Sequence, residues 1–338
     1  MIRIYLDAMG GDNAPECNVS GALEALRADQ ELEIILAGDS EKINGLLSGA
    51  DDVKSRITVE HLNDVITNHD APVMAVRQKK DSAQVKGMLA VKEGRAEGFV
   101  SAGSTGALLA GGMFRLGRLP GVERPAIASM LPTGKGFVCL TDCGANADCR
   151  SEYLPQFGIM GSVYMQSVMG IEKPRVGLVN IGAEDSKGNT LTKEAYPLMQ
   201  NAPINFIGNV EGRDITAGNT DVAVCDGFSG NLLLKFMEGA VVTMTGIIKQ
   251  ELKRDLRGKL SYLIAKKNWK AVKKRLDYSE VGGAPLLGVS GAVIKAHGSS
   301  NAHAISCAIR QCTDMVRNET VKKISDGINA MTGENKEE

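Results

Sequence analysis

The stretch Gly98–Gly112, with the sequence GFVSAGSTGALLAGG, indicates how this chain folds. It starts as a short apolar run typical of the end of a buried strand, turns through Ser101–Gly106, and continues as an apolar helical pattern over Ala107–Ala110. The first backbone N–H groups of such a helix have no partner within it, and the helix dipole is positive there. The stretch therefore predicts a strand–turn–helix unit whose turn binds a phosphate. The plainer alternative is a tight turn in which Ser101 or Ser104 caps the helix.

The same order of strand, polar turn and helix recurs along the chain. Apolar runs at Ile2–Leu6, Leu32–Ala37 and Arg175–Asn180 predict further strands, and each leads through a polar turn into a helical pattern. Strands that alternate with helices are typical of a mostly parallel sheet covered on both faces. Ala126–Leu131 and Gly136–Thr141 are separated by only a short turn and predict an antiparallel hairpin. The predicted fold class is therefore α/β, with three layers in the order α/β/α.

The size and composition of the chain are those of a globular protein with a large core. Its 338 residues predict one α/β domain over residues 1–332, built as one body or as two lobes around a cleft, and a disordered tail at 333–338. The seven Cys residues are an odd number, and no apolar signal segment precedes Asp7. We therefore expect no disulfide framework and a cytoplasmic location. No uninterrupted apolar run approaches the ~18 residues that span a bilayer.

Small and polar residues occupy the turns that follow six of the predicted strands. In an open α/β sheet the carboxyl ends of parallel strands lie on one edge, and ligands bind in the crevice outside that edge. We therefore expect the six turns to meet on one edge and to form an active-site cleft. The turns are Asp7–Asp12, Ser101–Gly106, Asp142–Asn146, Glu184–Asn189, Asp226–Asn231 and His297–Asn301.

Several of these turns resemble, almost residue for residue, the bacterial phosphate acyltransferase family (PlsX) of phospholipid synthesis. The similar segments follow the family's order from residue 2 to about residue 310, so the resemblance covers nearly the whole chain and is specific as a set. Cys143 and Cys149 stand where the family pattern suggests other residues. The segments are Asp7–Asp12, Ser101–Ala107, Arg124–Ala126 with Leu131–Thr133, Gly144–Asn146, Gly158–Tyr164, Glu184–Asp185 with Lys187–Asn189, Phe206–Glu211, Asp226–Asn231 and Lys295–Ser300.

The resemblance implies an enzyme that moves a long-chain fatty acyl group from acyl carrier protein to inorganic phosphate, giving acyl phosphate for phosphatidic acid synthesis. It implies a fold like that of the phosphotransacetylases and the isocitrate and isopropylmalate dehydrogenases, and no cofactor. It further implies a homodimer at the inner face of the cell membrane, with the downstream glycerol-3-phosphate acyltransferase as a further partner. Two alternatives stay open: a phosphotransacetylase-type enzyme that acts on acyl-CoA, and a non-catalytic membrane-associated scaffold.

The implied chemistry needs no Ser or Cys nucleophile, because phosphate itself attacks and a thiolate leaves readily. The nucleophile elbow GxSxG is also absent from the chain. The site must instead hold a dianion close to a thioester and stabilise an oxyanion. Lys187 is the predicted cation, His297 the predicted general acid or base, and Asp226 a carboxylate that orients one of them. The plainer alternatives are an exposed loop lysine, a turn histidine and a helix-capping aspartate.

The other polar residues at the strand ends are predicted to bind the substrates. Their backbone N–H groups and short polar side chains suit a phosphate and an acyl donor. The aspartates among them are also candidates for orienting Lys187 or His297. The predicted substrate- and phosphate-binding residues are Asp7, Gly10, Gly11, Asp12, Ser101, Gly103, Ser104, Thr105, Gly106, Asn146, Glu184, Asp185, Asn189, Asn209, Gly227, Ser229, Gly230, Asn231, Gly298 and Ser299.

Metal and dinucleotide sites are not predicted. Cys139, Cys143 and Cys149 are irregularly spaced and have no nearby His, a pattern that does not favour zinc. No GxGxxG pattern follows the first strand, so a Rossmann-type dinucleotide site is not expected.

One segment carries a strong positive charge. Between Lys249 and Leu276, eleven Lys and Arg residues accompany two acidic ones, and this net charge of +9 leaves −10 for the remainder of the chain. Leu residues recur there at helical spacing, so residues 249–280 predict a basic amphipathic helical excursion that projects from the domain.

This basic segment has three interpretations. It contacts a membrane surface, it docks the acidic acyl carrier protein, or it is a helix pair packed on the body or on a second copy of the chain. A nucleic acid is not a predicted partner, because basic charge is confined to this segment. The predicted membrane contacts are Leu256, Leu260, Leu263 and Ile264.

Overall fold

The computed structural model describes residues 1–276 and 281–333 of the chain. The end of the predicted excursion at 249–280 and most of the predicted tail at 333–338 lie outside the described residues. Within the described ranges eleven strands form one sheet, and helices pack on both of its faces. The strands are β1 (Ile2–Asp7), β2 (Leu32–Gly38), β3 (Ile57–His61), β4 (Gly98–Ser101), β5 (Ala126–Thr133), β6 (Gly136–Thr141), β7 (Arg175–Val179), β8 (Asn205–Val210), β9 (Val222–Val224), β10 (Ala284–Leu287) and β11 (Ala292–Lys295). The helices are α1 (Glu16–Ala28), α2 (Ser40–Leu46), α3 (Pro72–Gln78), α4 (Ala83–Lys92), α5 (Thr105–Gly111), α6 (Tyr153–Ser167), α7 (Thr190–Gln200), α8 (Gly212–Ala217), α9 (Gly227–Arg254), α10 (Leu256–Ile264), α11 (Lys266–Leu276), α12 (Ala302–Arg317) and α13 (Thr320–Thr332).

The sheet consists of two parallel blocks that run in opposite directions. The strand order is β3-β2-β1-β4-β11-β10-β5-β6-β9-β7-β8. The first block contains β1 to β4 and β11, and the second contains β6 to β9. Between them lie β10 and β5, each antiparallel to both of its neighbours. Because three successive antiparallel pairings separate the blocks, their carboxyl ends lie at opposite edges of the sheet.

This topology corrects the expectation that all six strand-end turns meet on one edge. The turns that follow β1, β4 and β11 lie at one edge, and those that follow β6, β7 and β9 lie at the other. The change of direction depends on β10, which the sequence pattern did not reveal. Its four residues, Ala284–Leu287, include a proline, and a short run that contains proline gives a weak strand signal.

Alternate residues of the central strands face opposite layers, as a three-layer fold requires. In β1, Ile4 and Leu6 belong to a core cluster shared with α1 and α12, whereas Tyr5 belongs to a cluster shared with α4 and α5. Alternate residues of β9 divide between the same two clusters. The predicted α/β fold class with three layers is confirmed, and β5 and β6 form the predicted antiparallel hairpin.

The basic segment is helical and stands out from the sheet. It comprises the end of α9, then α10 and α11, and nearly every residue of α9 and α10 from Val242 onwards is exposed. Within the described residues, α9 is the one helix long and apolar enough to cross a membrane by length and composition, with a mean hydropathy of 1.3 over 18 residues, none of them buried. Length and composition alone are weak evidence for a membrane span.

Candidate functional site

Three turns of the first block meet around the buried carboxylate of Asp7. Since β1 and β4 are neighbours, Asp7 and Ser101 come together at their carboxyl ends. Asp7 Oδ2 accepts a hydrogen bond of 2.7 Å from Ser101 Oγ, and Oδ1 accepts one of 3.1 Å from the N–H of Met9. The N–H of Gly103 donates to Ser101 Oγ at 3.0 Å. Burial raises the pKa of Asp7, and the hydrogen bonds that it accepts act in the opposite direction.

Glycines allow the turns to pack directly on that carboxylate. A Cβ on Gly10 would lie 2.5 Å from Asp7 Oδ2. Gly11 has a φ of +102°, and its Cβ would lie 3.0 Å from the carbonyl oxygen of Gly298. The N–H of Asp12 donates to that same oxygen at 2.8 Å. The turns after β1, β4 and β11 therefore form one group, which we call the Asp7 cluster.

Gln84 of α4 also belongs to the Asp7 cluster, although the sequence analysis did not select it. The residue is 3% exposed, and its Nε2 donates to the carbonyl oxygen of Ser104 at 3.1 Å and to Ser101 Oγ at 3.4 Å. Its Oε1 is buried without a hydrogen-bond partner among the described residues. The sequence gives one signal that Gln84 is buried: its polar amide stands between the apolar Ala83 and Val85. All three residues lie on a helix packed against the sheet.

Lys295, at the end of β11, extends the cluster. It lies opposite Ser101 in the parallel pairing of β11 with β4. Its Nζ donates to the carbonyl oxygen of Ala102 at 3.3 Å and also to that of Ala296. Burial lowers the pKa of Lys295 to about 8, and the nearby carboxylates act in the opposite direction. No role was predicted for Lys295, although it opens a segment that resembles the family.

His297 lies at the mouth of the cluster, two residues after Lys295. Its Nδ1 accepts a hydrogen bond of 3.2 Å from the N–H of Ser299 and lies 2.8 Å from Ser299 Oγ. Although the side chain reaches the surface, loss of part of its hydration lowers the pKa of His297; Lys235 and Lys295 act in the same direction and Glu238 against it. The imidazole is therefore largely neutral at neutral pH.

The second block reaches this site through α9. This helix begins at Gly227, directly after the loop that follows β9, and its Lys235 and Glu238 form an ion pair of 2.8 Å. Both side chains influence the pKa of His297, and Lys235 also influences that of Lys295. The third turn of α9 therefore lies within electrostatic range of His297 and Lys295. This pair was not predicted to belong to the site, because opposite charges three residues apart are typical of any solvated helix.

A second cluster fixes the start of α9 on the sheet. Asp142, directly after β6, is fully buried and accepts hydrogen bonds from the N–H groups of Ile127 at 2.9 Å and Asn146 at 2.7 Å. The carbonyl oxygen of Asn146 in turn accepts from the N–H of Gly227 at 2.7 Å. A Cβ on Gly230 would lie 1.9 Å from the carbonyl oxygen of Asp142. Burial raises the pKa of Asp142, and its hydrogen bonds act in the opposite direction. Three of the predicted substrate-binding residues thus hold the helix in place.

Asp226 caps α9. Its Oδ1 accepts from the N–H of Ser229 and its Oδ2 from Ser229 Oγ, both at 2.8 Å. Asn231 begins the second turn of the helix and lies beside Gly144. These hydrogen bonds correspond to the plainer alternative, a helix-capping aspartate, and a catalytic role for Asp226 stays a prediction.

The turn after β7 holds a third set of predicted residues. Glu184, Asp185 and Lys187 are exposed there, and Asn189 caps α7. The carbonyl oxygen of Glu184 accepts from the N–H of Lys187 at 3.0 Å and from Asn209 Nδ2 at 2.9 Å. Across residues 1–276 and 281–333, no hydrogen bond or ion pair joins Lys187 to the Asp7 cluster. The structure therefore does not bring these two parts of the predicted site into contact.

The turn that opens α5 is held by its own cap. Ser104 Oγ accepts a long hydrogen bond of 3.5 Å from the N–H of Ala107. Thr105 is exposed, and Gly106 packs against Pro72. These contacts match the capping alternative, and phosphate binding by this turn stays a prediction.

Metal ligands are not grouped in the part of the chain that the structure describes. It contains no set of three or more His, Cys, Asp or Glu side chains placed to hold a metal ion. Cys139, Cys143 and Cys225 are buried thiols. Burial raises the pKa of Cys139 to about 12, so this thiol stays protonated.

Comparisons with known proteins point to one family. A family model described as "Fatty acid synthesis protein" matches residues 2–323. A phosphate acyltransferase from Alkaliphilus oremlandii (strain OhILAs) is 47% identical over 330 residues, which cover 98% of each chain. Another from Clostridium acetobutylicum is 47% identical and covers 95% of this chain and 97% of its own. A third, from Clostridioides difficile (strain 630), is 43% identical and covers 99% and 98%.

Solved structures share the fold at much lower identity. A phosphotransacetylase from Streptococcus pyogenes has a TM-score of 0.60 at 18% identity and covers 94% of both chains. A branched-chain phosphotransacylase from Enterococcus faecalis V583 has a TM-score of 0.57 at 15% identity and covers 94% of this chain and 99% of its own. These structures confirm the predicted phosphotransacetylase-like fold. Because the family model and the relatives extend over nearly the whole sequence, the chain belongs to the phosphate acyltransferase family of acyltransferase enzymes.

Proposed function

We propose that this enzyme transfers a long-chain fatty acyl group from acyl carrier protein to inorganic phosphate and releases acyl phosphate for phospholipid synthesis. The observation that carries the proposal is the Asp7 cluster. It combines a half-buried lysine, a largely neutral histidine and tightly packed glycine turns, and Lys235 and Glu238 of α9 act electrostatically on the histidine. Membership of a family with phosphate acyltransferases supports the class of reaction.

The proposed reaction needs no covalent intermediate with the protein. An oxygen of hydrogen phosphate forms a C–O bond to the thioester carbonyl carbon, and the C–S bond then breaks. The proton of hydrogen phosphate ends on the sulfur, so no other reactant is required. The protein must hold the phosphate dianion and stabilise the oxyanion that forms between the two steps. Backbone N–H groups of the turns and the imidazole of His297 are the proposed donors to that oxyanion.

The identity of the acyl donor is the finer part of the proposal. Acyl carrier protein is acidic, and the basic helices α10 and α11 offer a surface of opposite charge. The solved structures named phosphotransacetylase and phosphotransacylase share the fold alone, at 18% identity or less. Because they do not decide between donors, acyl-CoA stays the alternative donor.

One assay tests both parts of the proposal. Acyl carrier protein loaded with a long acyl chain is incubated with the enzyme, with and without phosphate, and hydroxylamine traps any acyl phosphate. We expect carrier release that depends on phosphate, formation of hydroxamate, and slower transfer from the matched acyl-CoA. Carrier release that does not depend on phosphate contradicts the function, and faster transfer from acyl-CoA favours the phosphotransacetylase alternative. Vesicle binding without any transfer would favour the scaffold.

We also propose that the enzyme works in the cytoplasm as a homodimer on the inner face of the membrane. Apolar side chains at the far end of the projecting helices support a membrane contact, since Leu256 is 83% and Ile264 is 80% exposed beside basic residues. A long-chain acyl phosphate is itself lipophilic. A location at the membrane would let it pass to the glycerol-3-phosphate acyltransferase that is the proposed next partner.

A further inference from the structure

Lys295 is a half-buried lysine whose charge is not taken up by an ion pair. Its Nζ uses two N–H groups on the carbonyl oxygens of Ala102 and Ala296. Among the described residues, no carboxylate forms an ion pair with it and no acceptor takes its third N–H group. The Asp7 carboxylate accepts from Ser101 Oγ instead. An ammonium group carries three donors and is costly to bury without an anion, so this arrangement favours an anion that comes from solution.

The charges that face Lys295 come from three elements. Asp7 and Asp12, in the turn after β1, stabilise its charged form, whereas Lys235 of α9 destabilises it. His297 follows it on the same turn, and Glu238 of α9 is paired with Lys235. Lys295 is therefore a cation of the Asp7 cluster that lies within electrostatic range of Lys235 on α9.

Lys187, the cation predicted from the sequence, has different surroundings. It is exposed on the turn after β7, and its contacts are with Glu184 and Asn180 in the same part of the chain. That turn follows a strand of the second block, whose carboxyl ends lie at the other edge of the sheet. An exposed lysine loses much of its attraction for an anion to the surrounding water, whereas a half-buried one loses less.

We propose that the ammonium group of Lys295 binds the phosphate that attacks the acyl donor. This inference rests on the proposed transfer to phosphate. In this role Lys295 neutralises part of the charge of hydrogen phosphate while the C–O bond forms, and it keeps its own protons throughout. Lys295 lies opposite Ser101 in the parallel ladder, so its ammonium group belongs to the same group of turns as the Asp7 carboxylate.

The proposal predicts how phosphate binding depends on pH. Burial lowers the pKa of Lys295 to about 8 against the attraction of Asp7 and Asp12. Its positive charge is therefore present below about pH 8 and is lost as the pH rises through that value. The pKa of His297 is lowered from its usual range, so the histidine changes charge on the acid side of this transition. We expect the KM for phosphate to rise above about pH 8 while the KM for the acyl donor stays constant.

The test compares Lys295→Met, which removes the charge but keeps an unbranched stem, with Lys295→Arg, which keeps the charge. We expect Lys295→Met to raise the KM for phosphate about ten- to a hundred-fold, the effect of losing one charge-assisted hydrogen bond. The KM for the acyl donor should change less than about twofold. Lys295→Arg should recover much of the phosphate affinity and move the alkaline rise in KM to higher pH. Lys79→Met is the matched control, because Lys79 is also half-buried, donates to a carbonyl oxygen and pairs with Asp70. It lies far from Lys295 in the sequence.

A second measurement does not depend on turnover. Inorganic phosphate should raise the Tm of the wild type and of Lys79→Met, but not that of Lys295→Met. Equal increases in the two KM values for Lys295→Met, or an unchanged phosphate-dependent rise in Tm, would show that Lys295 is only structural. If Lys187→Met raises the KM for phosphate more than Lys295→Met does, Lys187 and not Lys295 binds the phosphate. If the wild type transfers no acyl group to phosphate, the proposed function fails first and this inference fails with it.

Discussion

At the scale of single residues, one strand in each block of the sheet ends at a buried aspartate. Asp7 is the last residue of β1 and Asp142 directly follows β6, and backbone N–H groups donate to both carboxylates. In both cases glycines bring the next turn into contact with the aspartate, Gly10 at Asp7 and Gly230 at Asp142. A buried carboxylate is stable only when its oxygens are hydrogen-bonded, so these aspartates fix the turns around them. The first aspartate organises the proposed site, and the second anchors the helix that faces it.

Gly10 is the residue at which this packing can be tested. A Cβ on Gly10 would meet Asp7 Oδ2 at 2.5 Å and the backbone nitrogen of Gly103 at 2.7 Å, and neither atom can move easily. We expect Gly10→Ala to lower the free energy of unfolding by about 1–3 kcal/mol, the usual cost of overpacking, and to lower the rate of acyl transfer. Urea unfolding followed by circular dichroism measures the first effect.

Gly45 supplies the control for that measurement. It lies in α2, and a Cβ added there would have no other atom within 4 Å, so Gly45→Ala should stabilise the chain by up to about 1 kcal/mol through helix propensity. If Gly10→Ala unfolds at the same urea concentration as the wild type, Gly10 is not closely packed on the Asp7 carboxylate.

At the scale of elements, α9 and α10 combine two properties. The start of α9 is fixed on the sheet by the Asp226 cap and carries Lys235 and Glu238 to the Asp7 cluster. The remainder of α9 and all of α10 expose apolar side chains. Exposed apolar surface on this scale marks an interaction site. One helix therefore joins the proposed site to the surface that we propose meets a partner, and α10 extends that surface.

The apolar face of α10 is expected to hold the enzyme on lipid. Leu260 and Leu263 are 61% and 69% exposed, so Glu at both positions should leave the fold intact. We expect Leu260→Glu with Leu263→Glu to abolish flotation with vesicles that contain anionic lipid, because it removes buried apolar area and adds repulsion. Transfer from soluble acyl carrier protein should continue. Leu198→Glu with Ile207→Glu adds the same charge on exposed apolar positions of α7 and β8 and should float like the wild type. Equal flotation of both double variants would place the membrane contact elsewhere.

At the scale of the whole molecule, the sequence predicted the local pattern well and the assembly of the sheet less well. Strands such as the one at Ile2–Leu6, which spans Ile2–Asp7 in the structure, were predicted because apolar runs and polar turns are local signals. The reversal between the blocks was missed, since it depends on β10 and on pairings between distant strands. Asp7, Ser101 and His297 were predicted to lie together because the carboxyl ends of parallel strands share an edge, and their strands are parallel neighbours in the structure. Lys295 and Gln84 were missed because their burial is decided by packing that no short pattern records.

The whole molecule is expected to be a homodimer joined through α9. From Val242 onwards this helix exposes apolar side chains around much of its circumference, including Val242 at 71% and Ile247 at 57%, and a monomer would leave them in water. A second copy related by a two-fold axis would cover them with the same residues of its own α9.

We expect sedimentation velocity to give twice the mass of one chain. We also expect Val242→Glu with Ile247→Glu to weaken the dimer at least about 30-fold, the effect of one hot-spot residue. The double variant Leu198→Glu with Ile207→Glu should stay dimeric. If the wild type sediments as a single chain at micromolar concentration, the proposed homodimer is wrong. The apolar side chains of α9 would then be proposed to contact lipid.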